Sequence, residues 1–127
     1  EKKRIAPIPA DPHAVGIKCN AGKNACFIRH DGMMAPCNTL DAKLIDTHGR
    51  SLQDCFREMS AWANTVPRIK ECEGCIHAIH CRTCVAFHYS DTHQFGVPSP
   101  RICFKIREPE KAKAEQEFFA KHGYLEL

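Results

Sequence analysis

The chain has 127 residues, 43% hydrophobic and 26% charged, which suits one small folded domain and gives no sign of wholesale disorder or a membrane span. Its nine cysteines far exceed ordinary usage, and a chain this short with so many thiols is expected to staple itself with covalent or metal links. The net charge of +3 comes from scattered rather than banded basic residues, so neither nucleic acid nor a membrane is an expected partner; two four-thiolate sites, each carrying roughly −2 around zinc or a cubane, would offset it.

Residues 1–17 open with a charged run and carry Pro7, Pro9 and Pro12, which reads as an extended linker. No apolar signal-peptide run is present, and an odd number of thiols leaves one over in a pure disulfide framework, so the expected location is the cytoplasm. From Ala25 to Cys37 two short apolar segments flank Asp31-Gly32, the mark of a tight hairpin. With those two residues central, Ile28 faces Ala35, His30 faces Met33, and counting outward sets Cys26 directly opposite Cys37, so these two thiols are expected to share one site.

Apolar residues at 52, 55, 56, 59, 62, 63 and 66 have helical spacing. Ser51 is the expected N-cap, Asp54 suits the first turn and Pro67 ends the element. Residues 68–103 are broken by Gly96, Pro98 and Pro100 and read as short turns, with at most one helical turn, around the thiols. A last helix is expected from Pro109 to a stop at Gly123, with Phe118 and Phe119 both packed inward. The fold class is therefore α+β: a small metal-stapled domain with an N-terminal β-hairpin, a central helix, cysteine-rich loops and a C-terminal helix. Its organisation is a linker over 1–17, a cluster domain over 18–107 and a helical tail over 108–127.

The segment Cys72-x2-Cys75-x5-Cys81-x2-Cys84 is too short for a single zinc ribbon, whose two knuckles stand about 15–20 residues apart, and iron with sulfide suits it better. A Cys-x-x-Cys pair on a tight turn aims two thiolates at one centre, and a third ligand five residues on reaches another corner of a cubane. The fourth must come from elsewhere.

The whole chain then reads Cys19, twelve residues, Gly32, four residues, Cys37, a gap, the four-cysteine segment, a gap and Cys103. Over about residues 18–104 this order resembles the SPASM domain, the C-terminal auxiliary domain of radical S-adenosylmethionine enzymes that modify peptides and proteins, similar to anaerobic sulfatase maturases. The helix between the cysteine groups resembles the family's as well. The chain departs from the pattern once, with Arg82 and Thr83 between Cys81 and Cys84 where the family has one residue more.

The resemblance implies two 4Fe-4S clusters, the first held by Cys19, Cys26, Cys37 and Cys84 and the second by Cys72, Cys75, Cys81 and Cys103. Cys26 lies outside the seven-position pattern, but some members have an extra cysteine there. Its further implications are electron transfer and structural support, a radical S-adenosylmethionine barrel in cis or in trans, a peptide or protein substrate and a redox partner protein. The chain has no C-x3-C-x2-C loop to bind S-adenosylmethionine, so it is not expected to be catalytic alone. The competing expectation is an interaction module in which the same eight thiolates hold two zinc ions.

Cys55 lies on the apolar helical stripe and reads as a buried free thiol. His77 and His80 read as solvated loop residues, His30 as exposed and Trp62 as core. No Ser-His-Asp arrangement, phosphate loop or spaced carboxylate pair rises above background, so any chemistry is the metal's.

Overall fold

The computed structural model describes residues 15–81 and 84–123. Most of the expected linker lies outside them. Where the described chain begins, Gly16 donates its N–H to the Val66 carbonyl at 2.8 Å and Ile17 is buried in the core.

Three short antiparallel strands, β1 (Phe27–Ile28), β2 (Met33–Ala35) and β3 (Ile45–Asp46), form a sheet in that order. The hairpin register differs from expectation by one residue: Phe27 pairs with Ala35 and Ile28 with Met34. The cause is the turn. Arg29 donates its N–H to the Met33 carbonyl, so three residues, not two, make the connection. Gly32, at φ 82°, takes the left-handed position that such a loop requires, and Asp31 Oδ1 accepts the Met33 N–H at 3.1 Å. Counting outward now sets Cys26 level with Pro36 rather than Cys37, and a one-residue slip exchanges the faces of a strand. The third strand, which the sequence reading lacked, pairs Met33 with Asp46 and Met34 with Ile45.

Helix α1 (Leu52–Ala63) matches the apolar period. Ser51 Oγ accepts the Asp54 N–H at 3.0 Å, and the helix closes at Asn64, short of Pro67. Its buried face joins Met34 and Ile45 of the sheet to Cys55 and Met59. A second core unites Ile17, Leu40, Ala63, Val66 and Val85. Trp62 is half-buried and packs against both cores.

The region expected to hold only turns contains an eight-residue helix, α2 (Val85–Thr92). No Gly or Pro interrupts residues 85–92, and Val85, Ala86 and His88 are buried, so tertiary contact supports a helix with little amphipathic signal of its own. His93, at φ 54°, ends it. Short helix α3 (Phe104–Arg107) leads into α4 (Pro109–His122), which begins at Pro109 and closes at Gly123 as its sequence predicts. Phe119 is buried at 9% exposure whereas Phe118 is 41% exposed, correcting the expectation that both face inward. Neighbours on a helix with 3.6 residues per turn project about 100° apart and cannot share one narrow face. Among the described residues no helix is long and apolar enough to cross a membrane.

Candidate metal centre

Cys72 ends a 3-10 turn (Lys70–Cys72), and Cys75 donates its N–H back to the Cys72 carbonyl at 3.3 Å. A second 3-10 turn (Ala78–His80) delivers Cys81, and Cys103 caps α3. These four thiols line one cavity together with His77 and His88. They feel one another. Burial pushes the Cys72 thiol up to about 11, with Cys81, Cys103 and Cys75 adding to the rise and Lys105 opposing it. Burial likewise raises Cys81, partly offset by a hydrogen bond from the Phe104 N–H and reinforced by Cys75 and Cys103. Burial and crowding thus favour the protonated form of Cys72 and Cys81, whereas a thiol acts as a metal ligand only as the thiolate.

Cys19, Cys37 and Cys84 line a second cavity, walled otherwise mainly by apolar residues such as Ile17, Leu40 and Val85. Cys19 precedes a turn in which the Asn20 carbonyl accepts three N–H groups, Cys37 Sγ lies 3.2 Å from Thr39 Oγ1, and Cys84 caps α2. Cys26 is exposed and stands outside the walls of this cavity. All nine cysteines are free thiols, and Cys55, at 0% exposure, is sealed between α1 and the sheet, away from both groups. Among the described residues no three His, Cys, Asp or Glu side chains form a group that could hold a metal ion as they stand. Arg82 and Thr83, where the spacing departs from the family pattern, lie outside the described residues.

The two groups are interleaved along the chain: Cys84 lies with the early cysteines and Cys103 with the middle three. Helix α2 runs between them, with Cys84 at its start on one cavity and His88, one turn on, lining the other. Lys18, beside Cys19, reaches within 3.9 Å of Glu73, beside Cys72, so an ion pair also ties the two cysteine-bearing segments. Glu73 Oε1, the atom that faces Lys18, is buried and accepts no hydrogen bond among the described residues.

Two supporting networks escaped the sequence reading. Ser99 donates its N–H to His88 Nδ1 at 2.8 Å and its hydroxyl to Asp91 Oδ2 at 2.6 Å; Arg101 pairs with the same carboxylate at 2.7 Å, and the Ser99 carbonyl accepts the Cys103 N–H. The Ser99 hydroxyl and Arg101 hold Asp91 below the usual carboxylate range. In the second network His77, only 2% exposed, donates from Nδ1 to Glu115 Oε1 at 3.0 Å, and His80 donates from Nε2 to Glu115 Oε2 at 2.7 Å. Burial would raise Glu115, but the two imidazoles hold it below its ordinary value. His77 is thus buried rather than solvated, whereas His80 stays exposed as expected while still paired with Glu115. The sequence holds no signal for this, because Glu115 lies 38 and 35 residues away.

No family model, curated protein or solved structure matches the chain.

Proposed function

We propose that the chain is an auxiliary iron–sulfur domain of a radical S-adenosylmethionine enzyme that modifies a peptide or protein, with two 4Fe-4S centres serving electron transfer and structural support. One observation carries this reading: the thiols sort into two cavities, Cys72, Cys75, Cys81 and Cys103 around one and Cys19, Cys37 and Cys84 around the other. The SPASM-like pattern implies that same division, including the crossing of Cys84 and Cys103. Cys26 completes the first set in this scheme and must turn inward from its exposed position to do so.

Bound cubanes supply one-electron acceptance and donation. The chain's own residues hold the thiol groups in place, exclude water from half-buried sulfurs and donate the Phe104 N–H toward Cys81. Peptide substrate, barrel domain and redox partner belong to the same proposal, as does the metal's contribution to folding in a chain with two small apolar cores.

The test is anaerobic reconstitution of the purified chain with iron and sulfide, followed by counts of iron, sulfide and zinc. About eight irons with matching sulfide, by two 4Fe-4S centres, is the expected outcome. Two zinc ions per chain with no uptake of sulfide would assign the thiols to an interaction module instead.

A further inference from the structure

We propose that Glu115 of α4 is a positioning residue of the Cys72/Cys75/Cys81/Cys103 site, acting through His77 and His80; this rests on the cluster reading above. The His pair lies inside the loop joining Cys75 to Cys81, and each ring donates to a different oxygen of one carboxylate. A loop that carries two ligands is thereby fastened to a helix 35 residues further along the chain. Phe104 closes the arrangement from the other side. Its ring stacks on His80 at 4.3 Å and lies 5.4 Å from His77, and its N–H serves Cys81.

The bond to Glu115 fixes the His77 proton on Nδ1, and the buried ring lines the thiol cavity. Outer groups that hold a metal's ligands in place are typically worth about 10–100-fold in metal affinity, and here the held group is the Cys75–Cys81 loop rather than a ligating histidine. The brace also puts a partly buried negative charge behind the loop, and nearby charge and hydrogen bonding set cluster potentials. Residues after Arg107 are therefore part of the site.

The experiment compares wild-type full chain with Glu115→Gln and Glu115→Ala after reconstitution, reading metal affinity, iron content and the potential of each centre by spectroscopically monitored reductive titration. Expected for Glu115→Ala is about a 10–100-fold loss of affinity at the second site with the first intact. Glu115→Gln, which keeps the side chain's shape and one acceptor, should retain iron while the second centre becomes easier to reduce and the first stays unchanged. Wild-type iron and unchanged potentials in both variants would overturn the proposal, as would equal losses at both sites. Should the wild type take up zinc and no sulfide, the cluster reading falls; the brace then stands if Glu115→Ala weakens one of two zinc sites by the same factor and falls if it weakens neither.

Discussion

Ser99 and His88 meet through a backbone N–H donated to Nδ1 at 2.8 Å, which leaves the neutral ring's proton on Nε2. His88 is 1% exposed and Ser99 fully buried, so neither group can exchange this bond for water. The same serine accepts the Cys103 N–H, and through it α2 sets where the last cysteine stands.

His88→Leu is expected to leave the Ser99 N–H buried without an acceptor, costing about 1–3 kcal/mol of stability. Urea unfolding of the metal-free chain checks this. After reconstitution the same variant should lose iron from the Cys103 site first.

The partition of thiols makes a pairwise prediction. Cys72→Ala should remove about half the iron of a chain with two 4Fe-4S centres, and adding Cys103→Ala should remove little more, because both belong to one group. Combining Cys72→Ala with Cys84→Ala should abolish nearly all of it. Cys55→Ala should keep full iron content. Loss of iron in that variant would show the group assignments to be wrong.

The raised Cys72 thiol gives the metal-free chain a pH signature. Its value of about 11 in the folded state exceeds the ordinary 9.0, so the folded form holds the proton more tightly. The corresponding stability is fully present below about pH 9 and is lost as pH rises through 11. Denaturant midpoints measured across this range should fall, and Cys72→Ser should flatten the decline. Metal binding reverses the sense: it requires thiolates, releases protons and strengthens as pH rises from acid.

At Gly16 a β-carbon would overlap the Pro67 carbonyl, which lies against the bare backbone. Gly16→Ala should therefore push the entering chain off α1's exit, displacing Cys19 three residues on. The expected readout is a first site that loads iron poorly while the second loads normally.

Local chemistry made α1, its Ser51 cap, the Pro109 start and the Gly123 stop legible, because each depends on residues within a turn or two. The hairpin was legible but its register was not: Asp-Gly serves a two-residue turn and a three-residue one alike, and Arg29 and Asp31 decided between them through bonds the pattern does not encode. Helix α2 lacked periodicity and is held by contacts at both cavities. Only the resemblance to a family pattern separates Cys84 and Cys103 into opposite groups, since spacing alone keeps Cys84 with its neighbours. Glu115 and Ser99 were invisible for a common reason, namely that folding brought distant polar atoms beside ring nitrogens.

Interleaving has a consequence for heredity. A single break anywhere from Cys72 to Cys84 divides both thiol groups at once, since each then has members on either side. A cut between Cys37 and Cys72 is unequal in its effect: it leaves the later group whole but strands Cys84 from Cys19 and Cys37. The stretch from Cys72 to Cys103 could therefore pass on its own four thiols as a unit, whereas the earlier group survives an exchange only if everything from Cys19 to Cys84 travels together.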